Sequence, residues 1–256
     1  MSYQGIFDLT GKTAVVTGAR KGIGFAMASI LAEFGANIIA VSSKQEADDD
    51  LKKVVTSFGV EFTAVACDLR ERSETKSLIS TLKDSKIDIL VNNAGIASRG
   101  VVLEHTDEQW DQTIEIDLNA PFLLSREFAR GMAARGSGKI IFTASMWTFL
   151  GGKNVISYTA AKTALGGLTR GLSNELSPMG INVNAITQPL DMSIPEQGIL
   201  LAVYLSAPEV ENLRRSQNVI AGTRRAMKEG RYVSSPPKGY SMERDASKKP
   251  ILVPNE

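Results

Sequence analysis

The amino-acid sequence predicts an α/β fold with a doubly wound parallel sheet. Short apolar runs of strand length alternate with longer segments of helical periodicity through residues 1–187, which is the order of strands joined by crossover helices. The first of these runs leads directly into a glycine-rich turn and then into a helical pattern. A chain of 256 residues is also long enough to bury the core that such a sheet needs.

The composition is typical of a globular protein, with 43% hydrophobic and 22% charged residues. A net charge of +1 gives no general reason to expect binding to nucleic acid or to a membrane surface. No apolar run approaches the roughly 18 residues of a membrane span, and the first residues lack a signal-peptide pattern. The single cysteine, Cys67, excludes an internal disulfide, fits a reducing cytosol and has no metal-type partner. We therefore expect a cytoplasmic protein without a metal site.

The first strand is predicted at residues 13–16 and is followed by T-G-A-R-K-G-I-G and an amphipathic helical pattern. In this context the glycines let the backbone turn tightly and approach a pyrophosphate, which rests on the positive N-terminus of the helix. A plain turn is the alternative. The residues expected to bind a dinucleotide here are Gly18, Arg20, Lys21, Gly22, Ile23 and Gly24.

The second strand, N-I-I-A-V, ends near Ser42. An NAD-binding unit usually carries an acidic residue at about this place, where it binds the ribose hydroxyls. This chain has Ser42, Ser43 and Lys44 there, and Lys21 lies in the glycine loop. Because no carboxylate repels a 2′-phosphate and two cations attract it, the sequence favours NADP, with NAD possible if both lysines are merely solvated.

The third and fourth strands also end in polar residues. The run F-T-A-V-A-C ends at Asp68, which is placed to accept a hydrogen bond from an adenine amino group, although a simple strand-end turn is the alternative. The run I-D-I-L-V leads into N-N-A-G, a tight polar turn of the kind found where open α/β sheets bind ligands. The residues added to the expected cofactor site are Asp68, Leu69, Asn93, Ala94 and Gly95.

A long helix is predicted to begin at a capping box formed by Thr106 and Gln109. Asn119 lies within it, just before Ala120 and Pro121. A proline at this position removes one helical hydrogen bond and kinks the helix. We expect the kink to free Asn119, or a neighbouring carbonyl, to hold a water molecule.

Three further residues form the candidate chemistry. Ser145 follows the strand K-I-I-F-T-A, Tyr158 lies thirteen residues later, and Lys162 four residues after that. Positions four apart share one face of a helix, so the Lys162 ammonium favours the phenolate of Tyr158 and makes it a usable acid or base near neutral pH. Ser145 could hold a substrate oxygen. A surface helix with an aromatic ring packed on a lysine stem is the alternative, which the cofactor signals elsewhere disfavour.

The order and spacing of T-G-A-R-K-G-I-G, N-N-A-G, Asn119, Ser145 and Y-T-A-A-K resemble the short-chain dehydrogenase/reductase family over residues 1 to about 186. The resemblance implies a Rossmann-like sheet and a nicotinamide cofactor. It implies that Tyr158 is the acid/base and that Lys162 acidifies it, with both residues also contacting the cofactor. It further implies that Ser145 orients the substrate and that Asn119 holds a proton-relay water.

Within this family, the runs T-A-S-M-W-T-F-L-G-G and V-I-S-Y-T-A-A-K resemble the 2-dehydro-3-deoxy-D-gluconate 5-dehydrogenases and related gluconate dehydrogenases. The expected activity is therefore an oxidoreductase that interconverts a secondary alcohol and a ketone by hydride transfer. The expected substrate is a small molecule such as a gluconate derivative. Family tetramers use the helices near residues 107–132 and 157–178 together with C-terminal elements. Because the C-terminal elements are replaced in this chain, we expect a homodimer through these two helices.

The resemblance stops after the strand I-N-V-N-A-I. The family's Pro-Gly is replaced by Gln188, Pro189 and Leu190, and no last strand with a glycine pair follows. Residues 188–256 predict a helical and then irregular tail, which resembles a fragment of the serine-recombinase (resolvase) family without its nucleophilic serine. We therefore expect a chimera joined near residues 186–188, with a divergent dehydrogenase as the alternative.

Two other functions stay open at this point. The first is a catalytically defective dinucleotide-binding protein, because the replaced C-terminal segment carries no substrate-covering pattern. The second is DNA association through the tail, which from Glu209 onward has ten Lys or Arg against six Asp or Glu. Basic helices are more often solvated surfaces, so nucleic acid is not the expected partner.

Overall fold

The computed structural model describes residues 7–44, 49–186, 240–244 and 250–254. Contacts divide the chain into two compact units, Met1–Ser206 and Ala207–Glu256. Three features predicted from the sequence lie outside the described residues, apart from Ile186 at the start of the first. They are the junction expected at residues 186–188, the departure from the family at Gln188 to Leu190, and the helical part of the tail. The domain boundary after residue 187 stays a prediction.

The first unit is a parallel sheet with helices between its strands. In chain order its main elements are β1 (Thr13–Thr17), α1 (Gly22–Glu33), β2 (Asn37–Ser42), α2 (Asp49–Ser57), β3 (Phe62–Ala66), α3 (Arg72–Leu82), β4 (Ile89–Asn92), α4 (Asp107–Ile114), α5 (Ala120–Arg135), β5 (Gly138–Thr143), α6 (Ile156–Leu176) and β6 (Ile181–Ile186). The strand order is β3-β2-β1-β4-β5-β6, and all five pairings are parallel. The doubly wound sheet is thus confirmed.

The order of the strands fixes where a ligand can bind. The chain winds outward in one direction from β1 to β3 and in the other from β4 to β6. Between β1 and β4 the connections diverge, so the loops after these strands leave a crevice at the carboxyl edge of the sheet. In the described part of the chain, no strand pairs with the outer edge of β6, and no helix is long and apolar enough to cross a membrane.

Both faces of the sheet are buried. Val15 and Leu90 pack into the apolar cluster that includes residues of α3, α5 and α6. Their neighbours Ala14, Val16 and Ile89 pack into the opposite cluster with residues of α1 and α2. Because successive strand residues point to opposite faces, burial on both sides explains why the strands are continuous apolar runs rather than alternating ones.

The helix predicted after Thr106 begins as expected but is not uniform. The Thr106 hydroxyl accepts a hydrogen bond from the Gln109 amide, and the Gln109 side chain accepts one from the Thr106 amide. Between α4 and α5 the backbone forms one π-helical segment, Glu115–Asn119. Pro121 lacks an N–H group, so the carbonyl four residues earlier, that of Asp117, loses its helical donor. The irregularity expected at the proline therefore takes the form of a wider π turn.

The second unit contains an antiparallel pair of strands, β7 (Tyr240–Arg244) and β8 (Pro250–Pro254). The prediction that the end of the tail is irregular is therefore wrong for these residues. Strand β8 has the sequence P-I-L-V-P, whose three central residues are apolar and include two β-branched ones that favour strands. Its prolines stand at the two ends, where a missing N–H disturbs a ladder least.

Candidate active site

The glycine loop between β1 and α1 packs closely against the loop after β4. Gly18 has a φ of +66°, and a Cβ there would lie 2.9 Å from the Ala94 Cα. A Cβ at Gly24 would overlap the Gly18 carbonyl oxygen and lie 2.5 Å from Asn93 Nδ2. The first position needs glycine for its left-handed backbone, and both need it for close approach. The sequence therefore folds this turn into the shape expected of a phosphate-binding loop.

Thr17 and Asn93 hold three strand ends together. The Thr17 hydroxyl accepts hydrogen bonds from the amides of Asn93 at 2.9 Å and Ala94 at 3.0 Å. Asn93 Nδ2 donates to the Thr17 carbonyl at 3.1 Å, and its Oδ1 accepts from the Thr143 hydroxyl at 3.2 Å. The Asn93 side chain is thus hydrogen-bonded to the ends of β1 and β5. It holds the loop after β4 against these two strand ends.

A cavity of about 360 Å³ lies at this crevice. The residues predicted from the sequence that line it are Gly18, Arg20, Lys21, Ser42, Ser43, Asp68, Leu69, Asn93, Ala94 and Gly95. Five further lining residues were not predicted, namely Val41, Cys67, Arg70, Ile96 and Ile116. The predicted residues that do not line it are Gly22, Ile23, Gly24, Tyr158 and Lys162. The structure thus brings the loops of β1, β2, β3 and β4 around one space.

Three cationic side chains border the cavity: Arg20, Lys21 and Arg70. Arg70 forms a fork with Asp68, with Nε at 3.0 Å from Oδ1 and Nη2 at 2.6 Å from Oδ2. The hydrogen bond from Arg70 holds the pKa of the Asp68 carboxyl below its ordinary value, so Asp68 is a carboxylate at neutral pH. Sequence reasoning missed Arg70, although an arginine two residues after a strand-end aspartate was a usable signal.

Cys67 is a buried free thiol that also borders the cavity. Burial raises the pKa of the thiol to about 12, and the nearby carboxylates of Glu74 and Asp68 add to the rise. The thiolate is the reactive form of cysteine, so Cys67 is unsuited to nucleophilic chemistry at neutral pH. Within the described ranges, no cluster of three or more His, Cys, Asp or Glu side chains could hold a metal ion.

Tyr158 and Lys162 lie one turn apart on α6, as their spacing predicts. The Lys162 ammonium is 5.3 Å from the centre of the Tyr158 ring, and Lys162 is only 4% exposed. Its Nζ donates to the Thr143 carbonyl at the end of β5 at 2.9 Å. A buried cation is thus fixed beside the ring of the half-buried Tyr158.

Ser145 follows β5 and begins a short 3₁₀ helix, Met146–Thr148. Its hydroxyl accepts a hydrogen bond from the Trp147 amide at 3.3 Å, and its own amide donates to the Thr148 hydroxyl at 3.3 Å. Thr163 of α6 bonds to the Trp147 carbonyl at 3.0 Å, which ties this turn to the helix that carries Tyr158. The Ser145 hydroxyl keeps its own proton for a further acceptor, because the Trp147 bond uses only a lone pair.

Asn119 makes a contact that the sequence did not predict. Its Nδ2 donates to Glu115 Oε2 at 2.7 Å, and Glu115 is also held by a two-pronged ion pair with Arg72 of α3, at 2.8 and 2.7 Å. Burial opposes ionisation of Glu115, but the bonds from Arg72 and Asn119 outweigh it and lower its pKa. The Asn119 side chain is therefore engaged by a carboxylate on its own helix turn.

Asp117, which sequence reasoning missed, is the residue of the π turn that reaches Lys162. Its Oδ1 lies 2.9 Å from Lys162 Nζ, and its Oδ2 accepts a hydrogen bond from the Ile96 amide at 2.9 Å. Burial raises the pKa of the Asp117 carboxyl, and Lys162 and the Ile96 amide offset only part of that rise. A carboxylate between Ile116 and Leu118, four residues before Pro121, was the available signal.

Comparison with known proteins agrees with this geometry. The sequence matches the short chain dehydrogenase family over residues 12–190. It is 48% identical over 183 residues to a 2-dehydro-3-deoxy-D-gluconate 5-dehydrogenase of Pseudoalteromonas atlantica, covering 70% of this chain and 72% of that protein. It is 40% identical over 181 residues to a 3-oxoacyl-acyl-carrier-protein reductase of Rickettsia conorii, covering 71% of this chain and 73% of that protein.

A solved structure is similar over the same region. It is a candidate NAD(P)-dependent gluconate 5-dehydrogenase of Beutenbergia cavernae with NADP bound at low occupancy, 35% identical to this chain with a TM-score of 0.67. The match covers 76% of this chain and 82% of that one. Both the sequence and the parallel sheet therefore lead to the same conclusion, that this chain belongs to the short-chain dehydrogenase family.

Proposed function

We propose that this protein is an NADP-dependent oxidoreductase that interconverts a secondary alcohol and a ketone, with Tyr158 as the general acid/base. The observation that carries the proposal is the buried Lys162 ammonium beside the Tyr158 ring. Both side chains lie near the start of α6, which follows β5, at the same sheet edge as the glycine loop. Family membership supports the reaction class, and the fit of the crevice to a dinucleotide supports the cofactor.

The crevice suits a dinucleotide in shape and charge. Gly18 and Gly24 let the loop pack closely where a Cβ would collide with neighbouring backbone, and tight turning and close packing are two of the roles that glycines have in dinucleotide-binding loops. Ser42 and Ser43 border the cavity after β2 where an NAD-binding unit has a carboxylate, and Lys21 borders it from the loop. NADP bound to the Beutenbergia cavernae protein supports the same choice.

Each residue of the candidate site has one part in the mechanism. When bound, the nicotinamide cofactor supplies or accepts the hydride. During reduction of a ketone, Tyr158 donates its phenolic proton to the carbonyl oxygen, and during oxidation it removes the alcohol proton. Ser145 donates a hydrogen bond to the same substrate oxygen and fixes its distance from the phenol. The water relay that the family resemblance assigns to Asn119 stays a prediction.

We propose a sugar acid, such as a gluconate derivative, as the substrate, because of the similarity to the Pseudoalteromonas atlantica enzyme. A 3-oxoacyl thioester is the second candidate. The Rickettsia conorii relative supports it, and so do two exposed apolar side chains on the loops after β4 and β5, Leu103 at 92% and Phe149 at 72% exposed. Such side chains favour contact with an apolar chain more than with a polyhydroxy acid.

The purified protein should therefore consume NADPH in the presence of 2-dehydro-3-deoxy-gluconate or a related keto sugar acid. The measurement is the loss of NADPH absorbance across a panel that contains keto sugar acids, a 3-oxoacyl thioester and simple ketones. Faster turnover of the thioester would favour the 3-oxoacyl thioester over the sugar acid as the substrate. NADPH binding without turnover of any of them would favour the catalytically defective alternative.

The cofactor preference should depend on Lys21. Replacing Lys21 by Ala should raise the dissociation constant for NADPH at least about tenfold, because a hydrogen bond to a charged phosphate is lost, and should leave that for NADH nearly unchanged. Fluorescence titration with both cofactors measures this. Lys76→Ala removes an exposed lysine of α3 away from the cavity and serves as the control. An equal loss for NADH and NADPH would contradict a 2′-phosphate contact.

We further propose a homodimer through the helices near residues 107–132 and 157–178. The exposed Trp110 and Phe122, at 41% and 38%, support an apolar contact on the first of these helices. Sedimentation of the purified protein as a monomer would contradict this proposal.

We also propose a cytoplasmic location, because the buried free thiol of Cys67 suits a reducing compartment. Localisation of a tagged chain in its host would test it.

The recombinase-like character of residues 188–256 stays a prediction, as does a chimeric origin. The family match ends at residue 190, which is compatible with a junction near residues 186–188. An intact dehydrogenase reading frame across this point at related genomic loci would contradict a chimera. DNA association through the basic tail remains the weaker alternative, and affinity that falls steeply with salt would support it.

A further inference from the structure

Two oppositely charged side chains after β3 form a closed fork at the border of the cavity. Arg70 Nε lies 3.0 Å from Asp68 Oδ1 and 3.2 Å from Oδ2, and Arg70 Nη2 lies 2.6 Å from Oδ2. The Arg70 backbone amide also donates to Oδ1, at 3.0 Å. A carboxylate has about four lone-pair sites, so Arg70 alone occupies both oxygens of Asp68. A bond from Asp68 to an adenine amino group would compete with this fork.

The fork uses only part of the Arg70 guanidinium. Arginine has five N–H groups, and the fork engages the one on Nε and one of the two on Nη2. In the described part of the chain, the two N–H groups of Nη1 and the second one of Nη2 have no hydrogen-bond partner. The Arg70 side chain is 45% exposed and borders the cavity. It can therefore donate to a ligand while it stays bound to Asp68.

The sheet brings the loop after β3 to the end of β2. These two strands are parallel neighbours, and the Cys67 amide donates to the Ser42 carbonyl at 2.8 Å. Ser42 and Ser43 line the cavity together with Arg70. In dinucleotide-binding folds the end of the second strand is where the adenosine ribose and its 2′ substituent bind. A 2′-phosphate is therefore expected within reach of the loop that carries Arg70.

The charges around the cavity favour an added phosphate. Among the described residues that line it, Arg20, Lys21 and Arg70 are cationic and Asp68 is the single acid. The fork compensates that acid, so its carboxylate repels a phosphate less than an unpaired one would. Lys44, the cation that the sequence places after β2, is not among the lining residues. Arg70 thus supplies a positive charge on this side of the cavity from the neighbouring strand.

We propose that Arg70 is a specificity-determining residue that binds the 2′-phosphate of NADP through its remaining N–H groups, while Asp68 holds the guanidinium in place. Two N–H groups of one guanidinium match the spacing of phosphate oxygens. The inference rests on the proposed NADP-dependent function and adds to it a ligand from the third strand. Asp68 is a positioning residue in this arrangement.

Two adenosine fragments test this contact without the nicotinamide. Adenosine 2′,5′-bisphosphate and adenosine 5′-monophosphate share the base, the ribose and the 5′-phosphate, so the ratio of their dissociation constants reports the 2′-phosphate. The parent protein should bind the bisphosphate more tightly. Arg70→Gln should reduce this preference at least about tenfold, because a hydrogen bond to a charged phosphate is lost, and should change the dissociation constant for the monophosphate less than about threefold. Titration calorimetry measures both constants.

A second background removes the unpaired carboxylate that Arg70→Gln leaves at Asp68. In an Asp68→Asn protein no such charge remains, and adding Arg70→Gln should still reduce the preference at least about fivefold. Arg130→Gln is the matched control. Arg130 of α5 is paired with Glu127 at 3.0 Å and does not line the cavity. Its replacement removes the same charge and should change the preference by less than about twofold, because exposed ion pairs have small effects.

An unchanged preference after Arg70→Gln, in either background, would overturn the proposal. An equal loss for the two fragments would overturn it as well, because Arg70 would then contact the part that they share. A loss as large after Arg130→Gln would show an effect of net charge and would have the same consequence. The titration needs no turnover, so it is separate from the test of the reaction. A parent protein that binds both fragments equally would remove this inference and leave the chemistry of Tyr158 with NADH open.

Discussion

Replacement of Tyr158 by Phe is expected to lower turnover by roughly 10² to 10⁴ while cofactor binding survives. Phenylalanine keeps the ring that packs beside the Lys162 ammonium and removes only the oxygen that exchanges a proton with the substrate. Tyr158 does not line the described cavity, so the dissociation constant for NADPH should stay within a few-fold of the parent value. Steady-state turnover and a fluorescence titration measure the two quantities.

The matched control removes a different hydroxyl from the same helix. The Thr169 hydroxyl of α6 bonds to the Leu165 carbonyl one turn earlier, at 2.7 Å, and Thr169→Val should leave turnover within about twofold, since this hydroxyl has no part in the proposed reaction. Retained turnover in Tyr158→Phe would remove the tyrosine from the mechanism. Loss of turnover in both variants would instead indicate damage to α6.

The success of the sequence prediction at this helix has a simple physical origin. The spacing of Tyr158 and Lys162 fixes their relative position through local helix geometry alone. The glycine loop was predictable for a similar reason, because strand, turn and helix follow one another directly in the chain. The alternation of apolar runs likewise predicted a doubly wound parallel sheet, which the structure confirms.

The residues that were missed make contacts across long stretches of chain. Asp117 and Lys162 are 45 positions apart and belong to different helical segments, so no local pattern relates them. The sequence predicts that the kink at Pro121 acts on Asn119. However, the carbonyl that loses its hydrogen-bond donor lies four residues before a proline. That residue is Asp117, which is the residue of the π turn that contacts Lys162.

Arg70 is a second residue that was not predicted from local sequence patterns. The sequence predicts a 2′-phosphate ligand after the second strand and in the glycine loop, where Lys44 and Lys21 stand. Lys21 and Arg70 border the cavity and Lys44 does not. The loops after β2 and β3 meet only because their strands are neighbours in the sheet, and the side-chain fork with Asp68 then sets the direction of the guanidinium.

The glycine loop itself should tolerate no added methyl group at Gly24. A Cβ there would lie 2.8 Å from the Gly18 carbonyl carbon and 2.5 Å from Asn93 Nδ2, and would overlap the Gly18 carbonyl oxygen. Most of these atoms are backbone, which cannot move aside as a flexible side chain can. We expect Gly24→Ala to lower the free energy of unfolding by about 1 to 3 kcal/mol, measured by urea denaturation.

Gly24→Ala should also weaken cofactor binding. The collision pushes apart Gly18 and the loop after β4, which together border the cavity, so we expect the dissociation constant for NADPH to rise at least about tenfold, since misplaced backbone donors no longer reach the phosphate. Gly171→Ala is the matched control, because this exposed glycine of α6 has no atom within 4 Å of the added Cβ. There the same methyl group should stabilise the helix by about 0.5 to 1 kcal/mol and leave binding unchanged. If Gly24→Ala bound NADPH as the parent does, the glycine loop would be a plain turn and the dinucleotide would have to lie elsewhere.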